Sequence, residues 1–358
     1  MHRRTIRTGL TLTGLLALTV GLAPALAADT VSWEMPIAFS SSLPGLGMPA
    51  KYVSDRVAAM SDGAMQLNVH QPGDLVSPFK ILGAVDSGKV AAGYTWLGYE
   101  RQRIPAAPLF SGVPFGPKPW AFMAWYYQGP GHRLLQEVIA NKGYNVHAEL
   151  CGIVGPETAG WYSHPINSLE DYKGLKIRFG GLGGDVLRKL GADVSTIPAS
   201  QLIEAIKSGR IQATEFSLPV IDRIIGLDKA LKHNLFPGWH QPFAAQYLLV
   251  NDDRWRQLSD PQRAMLETVC TAATSRALAQ SEYKEGKTLE AFRKEGVDIR
   301  TIPVSVLKQL KSVTEDILAR EADQDADFKR VYASQRAFQK QYDSWERLGY
   351  LPPQLDEE

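Results

Sequence analysis

Residues 173–185 have the sequence KGLKIRFGGLGGD and decide the fold. Leu175, Ile177 and Phe179 alternate with basic residues, which predicts a strand with one apolar and one polar face. Four glycines lie in the stretch that follows, and the apolar residues after them predict a helix with Asp185 as its N-cap. A strand that leads through a turn into a helix is the repeating unit of an α/β domain.

The same order of strand and helix extends along the chain on both sides. Strands are predicted at residues 31–35, 65–69, 90–94, 144–151, 211–216, 246–250 and 297–302. Helices are predicted at residues 46–60, 79–85, 120–142, 202–206, 260–294 and 303–320. This order favours a mostly parallel sheet with helices on both faces. A last helix, at about 328–348, carries an aromatic stripe that either docks on the body of the protein or contacts a second subunit.

The composition is that of a folded protein with two domains. The chain has 358 residues, 44% of them hydrophobic, with 39 lysines and arginines against 38 acidic residues. The hydrophobic content excludes a disordered chain, and the length exceeds the roughly 150 residues usual for one domain. A formal net charge of +1 leaves no basic excess for binding nucleic acid.

The first 28 residues have the pattern of an export signal. Arg3, Arg4 and Arg7 precede an uncharged apolar run at 9–26, and the run ends in a small-residue cleavage signature. The arginine pair also suggests a twin-arginine signal. The competing interpretation is a membrane anchor, against which the glycines and the cleavage signature argue. We therefore predict a cleaved signal peptide at residues 1–28 and a mature protein outside the cytoplasm.

Motifs for enzymatic chemistry are absent from the sequence. There is no Gly-x-Ser-x-Gly, no His-Glu-x-x-His and no phosphate loop, and the glycine run does not match the dinucleotide fingerprint. The histidines after residue 28 are scattered without metal-ligand spacing, and His240 is interpreted as a pocket-wall or core residue. Cys151 and Cys270 form either a disulfide or two buried thiols, since an exported protein permits both.

Arg178 is the residue that points to a function. It ends the predicted strand, beside the glycine-rich turn and the start of a helix. A guanidinium binds a carboxylate through two parallel hydrogen bonds, and free N–H groups at a helix start favour a negative charge. The arrangement predicts a site for a small anion, with a surface salt bridge as the alternative.

Several motifs carry a resemblance to a known family. Besides residues 173–184, they are VLRKLGA at 186–192, ATEF at 213–216, FPGW at 236–239, WEM at 33–35 and VPFG at 113–116. The chain resembles the solute-binding subunits of tripartite ATP-independent periplasmic (TRAP) transporters, and is most similar to the branch that binds 2-oxo acids and lactate. The resemblance covers nearly the whole mature chain.

The resemblance implies a fold and a role. The fold is a two-domain α/β periplasmic solute-binding protein (type II-like), with a ligand cleft between the domains, crossing strands and a long connecting helix. Such a protein is not an enzyme and holds no organic cofactor. It captures a small organic acid in the periplasm, closes around it by a hinge motion, and delivers it to the membrane subunits of a transporter driven by an ion gradient.

The resemblance also implies domain limits. Domain I comprises residues 29–153 and about 245–275, and domain II comprises residues 154–244 and about 276–324. Residues 325–358 form a C-terminal helix and tail, which docks on the protein or serves a homodimer.

The resemblance further implies the residues of the site. Arg178 matches the family's carboxylate-binding arginine. A sodium or calcium ion would be held by oxygen atoms from the side chains of Glu157, Glu215 and Gln241 and from the backbone carbonyl of Phe216. Relative to that branch, this sequence either exchanges a carboxylate and an amide between positions 157 and 241, which leaves the geometry of the solute open, or aligns with it one residue away from Gln241. The sequence alone also allows the alternative that Glu157 is a carboxylate on a surface loop.

Aromatic residues are expected to close the cleft around the solute, because several of them follow predicted strands in both domains. With Arg178 and Glu157, the expected solute-binding residues are Tyr94, Trp96, Trp161, Phe216 and Trp239.

Three alternatives remain open from the sequence. The same fold can bind a different acid, such as a sulfonate or a larger or aromatic carboxylate, because Arg178 serves all of them. A secreted enzyme acting on a small acid would need a base near Arg178, and Glu157 is the one candidate. A sensing module would present the liganded form to a receptor.

Overall fold

The structure, a computed structural model, describes residue 2 and residues 30–351. Apart from residue 2, the predicted signal peptide lies outside the described residues. Within these described residues, no helix combines the length and the apolar character needed to cross a bilayer.

Eleven strands and thirteen α-helices alternate along the part of the chain that the structure describes. The strands are β1 (Val31–Pro36), β2 (Met65–His70), β3 (Ala92–Trp96), β4 (Val146–Val154), β5 (Gly160–Tyr162), β6 (Lys176–Arg178), β7 (Asp193–Ser195), β8 (Ala213–Thr214), β9 (His233–Phe236), β10 (Ala244–Asn251) and β11 (Asp298–Thr301). The helices are α1 (Met48–Met60), α2 (Ile81–Asp86), α3 (Pro119–Tyr127), α4 (Gly131–Asn141), α5 (Gly181–Lys189), α6 (Leu202–Lys207), α7 (Pro219–Ile225), α8 (Leu227–Ala230), α9 (Asp252–Gln257), α10 (Asp260–Tyr283), α11 (Glu285–Lys294), α12 (Val304–Gln324) and α13 (Ala326–Gly349).

The strands divide between two domains, as expected for the two-domain fold. In domain I, β1 pairs with β2 in parallel, and a bridge between Ile37 and Tyr94 connects them to β3. Strand β10 lies between β3 and β4 and is antiparallel to both. In domain II, six strands follow the order β11-β9-β5-β8-β6-β7, and β5 is antiparallel to both of its neighbours.

The prediction of a mostly parallel sheet is wrong for β3, β10 and β4, and β5 also departs from it in domain II. The physical reason is the path of the chain between the domains. Strand β4 leaves domain I and leads into β5, whereas β10 returns from β9, so the two neighbours run in opposite directions. A third crossing follows α10, which packs on β4 and α1 and then leads into α11. The precise domain limits stay a prediction.

A disulfide decides between the two states left open for the cysteines. Cys151 of β4 is bonded to Cys270 of α10, and both are buried. The bond joins the central sheet of domain I to the long helix that leaves it.

The C-terminal helix α13 has two different halves. Phe328 and Val331 in its first half are buried, and this half packs on α3 and α4. In its second half, Trp345 is 61% exposed and Leu348 is 87% exposed. The predicted aromatic stripe therefore docks on the protein over its first half.

Candidate functional site

A cavity of about 20 Å³ lies where the two domains meet. It is lined by Phe39, Leu46, Trp96, Glu157, Arg178, Gly180, Glu215, Phe216, Gln241, Ala244 and Gln246. Six of the residues predicted from the sequence are among them: Arg178, Glu157, Glu215, Phe216, Gln241 and Trp96. They come from segments far apart in the chain, which meet because strands of both domains end at the cleft.

Arg178 and Glu215 form a buried ion pair on the domain II side. Arg178 ends β6, and Glu215 directly follows the neighbouring strand β8. The Nη1 atom of Arg178 lies 2.9 Å from Oε2 of Glu215 and also donates to the Glu215 carbonyl. Its Nε atom donates to the carbonyl of Ile197 at 3.4 Å. These bonds fix the guanidinium and do not involve Nη2. The positive charge of Arg178, with His240, outweighs burial and holds the pKa of Glu215 at about 2.

Helix α5 begins inside the glycine run rather than after Asp185, so the predicted N-cap is wrong. The helix starts at Gly181, and its N-cap Gly180 donates its backbone N–H to Oε2 of Glu215 at 3.3 Å. A carboxylate from another strand therefore occupies the electropositive helix start. The run is glycine because the helix approaches its surroundings closely: a Cβ on Gly183 would lie 2.7 Å from that of His240.

Glu157 lies in the crossing segment after β4, not on a surface loop. It is 2% exposed, and its backbone N–H donates to the carbonyl of Gln241 at 3.2 Å. The hydroxyl of Ser217 donates to Oε1 at 3.4 Å, while Oε2 is buried without a hydrogen-bond partner. Burial and the nearby charge of Glu215 raise the pKa of Glu157 to about 8, against the opposing effect of His240.

His240 completes the cluster, and its place in the site was missed from the sequence. Its Nε2 atom lies 3.6 Å from Oε2 of Glu157 and 3.6 Å from Oε1 of Glu215. The residue is 1% exposed, and neither ring nitrogen has a hydrogen-bond partner. Its neighbour Gln241 was a predicted ligand, so the loop itself carried the signal that could have indicated His240.

Trp96 is the one predicted tryptophan that lines the cavity. Its indole N–H donates to the carbonyl of Ser111 at 2.9 Å, and its ring lies against Gly180 and Gly181 of the α5 start. Domain I thus closes over the helix start of domain II through this side chain. Phe216 also lines the cavity. The centre of the Phe216 ring lies 5.4 Å from the guanidinium carbon of Arg178.

The structure places the other three predicted aromatic residues outside the cavity. The Trp161 indole donates to Asp222 at 2.7 Å, within the core of domain II. Trp239 stacks on Phe115 and Phe179. Tyr94 is fully buried in domain I, where its hydroxyl donates to the carbonyl of Cys151 at 3.4 Å.

Further cavity residues on the domain I side carried no signal in the sequence. Phe39 and Leu46 lie in the loops before α1, and Gln246 is buried in β10. Tyr99 is not part of the cavity lining but packs edge-on against Trp96, with ring centres 5.1 Å apart. Burial raises the pKa of Tyr99 to about 12.

The donor set fits a cation. One ligand atom each from Glu157, Glu215 and His240 lies within 4.8 Å of the others, and the three residues are buried. Buried polar atoms without partners are costly, and Glu157 and His240 contribute three such atoms here. A cation between the carboxylates would give Oε2 of Glu157 a partner and could also take Nε2 of His240, and the carboxylate and amide oxygens suit a hard ion.

Comparison with known proteins is consistent with this geometry. Residues 42–325 match the family described as bacterial extracellular solute-binding protein, family 7. The chain belongs to this family. It is a solute-binding protein of the TRAP transporter type, and members of the family are binding proteins rather than enzymes. The family works outside the cytoplasm, together with membrane subunits.

Three relatives illustrate the family. A monocarboxylate 2-oxoacid-binding periplasmic protein from Nostoc is 33% identical over 321 residues, which cover 90% of this chain and 87% of that protein. A TRAP solute-binding protein from Bordetella bronchiseptica, solved with calcium and picolinate, is 28% identical with a TM-score of 0.87, covering 89% of this chain and 95% of that one. One from Pseudoalteromonas atlantica, solved with sodium and pyruvate, is 27% identical with a TM-score of 0.85, covering 89% and 97%.

Proposed function

We propose that this protein captures a small monocarboxylate, a 2-oxo acid or a lactate-like acid, together with a sodium or calcium ion, and delivers it to the membrane subunits of a TRAP transporter. The observation that carries the proposal is the buried cluster of Arg178, Glu215 and Glu157 at the domain junction. Arg178 anchors the solute carboxylate through Nη2. The cation bridges the solute to Glu157, Glu215, Gln241 and the Phe216 carbonyl.

The formal charges of the pocket support one divalent cation with one monocarboxylate. Glu157 and Glu215 against Arg178 leave a net charge of −1 when His240 is neutral and both carboxylates are ionised. A divalent cation changes this to +1, and a monocarboxylate then brings it to zero. A buried site is stable when its charges are paired in this way.

The small pocket favours a small solute over a large one. The cavity between the side chains measures about 20 Å³, which is room for about one water molecule, so even a small acid requires the walls to move apart. The side chains around it are buried, so the structure corresponds to a closed cleft. The Nostoc relative is named for monocarboxylate 2-oxoacids and the Pseudoalteromonas relative contains pyruvate, and these are small acids.

The proposal extends to export and assembly. Residues 1–28 direct export and are cleaved, so that the mature protein acts in the periplasm. The exposed half of α13, with Trp345 and Leu348, and Tyr350 directly after it offer an apolar surface for a homodimer. The Bordetella relative was solved as a dimer. Sedimentation of the mature protein with and without residues 340–358 tests this assembly.

Thermal unfolding of the mature protein against a panel of small acids tests the solute. Each acid is added in sodium-free buffer with chelator, with sodium or with calcium. A ligand at ~100 times its Kd stabilises the folded state by ~2.7 kcal/mol. We expect this shift with pyruvate, lactate or a longer 2-oxo acid, and only when a cation is present. A shift confined to sulfonates or larger acids would contradict the proposed solute, and chemical turnover of the acid, followed by NMR, would contradict a binding role.

A further inference from the structure

A second group of metal-ligating side chains lies on domain I, outside the cavity lining. His132 is in the first turn of α4, while His147 and Glu149 are two positions apart on β4 and share a face of that strand. The Nε2 atoms of His132 and His147 lie 3.1 Å and 2.7 Å from the same atom, Oε1 of Glu149. The expectation that the histidines are scattered is therefore wrong for this pair, because folding brings α4 onto β4.

We propose that His132, His147 and Glu149 form a second metal site, which binds a divalent transition ion such as zinc, copper or nickel. Two imidazoles with one carboxylate suit these ions, whereas calcium and magnesium prefer oxygen ligands alone. This site does not depend on the function proposed for the cleft.

The geometry requires little adjustment. The three ligand atoms lie within 4.8 Å of one another. Bonds of roughly 2.1 Å in a tetrahedral zinc site place ligand atoms about 3.4 Å apart, so Oε1 of Glu149 needs to move away from each histidine nitrogen by less than about an ångström. The side chain of His132 is 42% exposed, which leaves an entry path and room for a water molecule as the fourth ligand.

The surroundings orient the rings and favour a positive charge. His147 stacks on Trp255 with ring centres 3.8 Å apart, and Tyr126 packs edge-on against His132. Glu149 is 6% exposed, and its Oε1 atom contacts both histidines. A buried carboxylate between two neutral imidazoles carries an unbalanced negative charge, which a divalent cation neutralises.

Titration calorimetry with zinc tests the site on untagged, metal-stripped protein, with saturating calcium to fill the cleft. We expect the wild type to bind one equivalent of zinc at this site. The zinc affinity of this site should fall tenfold or more in both His132→Gln and His147→Gln. His233→Gln is the matched control, because His233 pairs with Asp298 in domain II at 2.8 Å and should leave zinc binding unchanged.

Copper provides a readout that a merely structural role would not change. The electron paramagnetic resonance spectrum of bound Cu²⁺ should show two coupled nitrogens in the wild type and one in each histidine variant. The proposal is overturned if the wild type binds no zinc, or if both variants retain zinc affinity within threefold and the copper spectrum is unchanged. Circular dichroism verifies that each variant is folded.

Discussion

The two walls of the cavity differ in chemistry. The domain II wall, with the crossing segments, carries the charged groups Arg178, Glu215 and Glu157, and His240 contacts the two carboxylates. The domain I wall is built mainly from Phe39, Leu46 and Trp96, with the amide of Gln246. One domain therefore provides the electrostatic anchors, and the other provides apolar surface.

This difference suggests how the protein closes. Charged anchors act at long range and attract the solute and cation to domain II while the cleft is open. Closure then brings the apolar wall of domain I over them and excludes water, which strengthens each ion pair by lowering the local dielectric. On this view, substitutions in the charged wall abolish recognition, whereas those in the apolar wall weaken closure.

Removing the guanidinium should have the largest effect. Arg178→Ala is expected to weaken solute binding by ~100-fold or more, about 3 kcal/mol, because a buried carboxylate loses its partner. Arg178→Lys is the control, since it keeps the charge and loses the planar fork, and we expect an intermediate Kd by calorimetry. Binding by the alanine variant within a few-fold of wild type would show that the charged wall does not anchor the solute.

Glu215 tests whether the same wall holds the cation. Glu215→Gln should weaken solute binding by ~10- to 100-fold, because one carboxylate of the cation site is lost. Its remaining affinity should no longer depend on added calcium or sodium. Glu157→Gln keeps Glu215 and should retain part of the dependence. A Glu215→Gln variant with unchanged cation dependence, measured by titration with and without chelator, would refute this placement of the cation.

Trp96 tests the apolar wall. Trp96→Ala should raise the solute Kd about tenfold, because closure then buries less apolar surface. The cation dependence should remain, since no ligand to the cation changes. Trp161→Phe serves as the matched control, because Trp161 lies in the core of domain II and outside the cavity. Equal losses in both variants would indicate a general effect on folding rather than closure.

The sequence predicted the charged wall better than the apolar one, for a physical reason. Arg178 and Glu215 each lie at or directly after the end of a strand, and ends of adjacent parallel strands meet at one edge of a sheet, as β6 and β8 do here. The two-domain fold followed from strand and helix periodicity with the family resemblance. The antiparallel direction of β10 was not predicted from the sequence, because strand direction depends on where the chain crosses between domains.

Aromatic residues were less predictable because their side chains fill cores and pockets equally well. Trp161 follows Glu157 closely in sequence but packs inside domain II, and Tyr94 is two residues from Trp96 but lies in the domain I core. His240 was missed because its partners, Glu157 and Glu215, come from other crossing and strand-end segments. Only the folded arrangement brings these three residues within reach of one another.

Two substitutions of Tyr99 test the contrast between the walls, because they separate the contribution of its ring from that of its hydroxyl. The ring packs against Trp96 and against Phe79, with a ring-centre distance of 4.7 Å to the latter. If domain I contributes apolar surface, Tyr99→Phe should change the solute Kd by about threefold or less, and Tyr99→Ala by about fivefold, because only the latter removes buried ring contacts. Calorimetry on both variants checks this. A tenfold loss in Tyr99→Phe would show instead that the hydroxyl contacts the solute, and the apolar wall would then contain a polar anchor of its own.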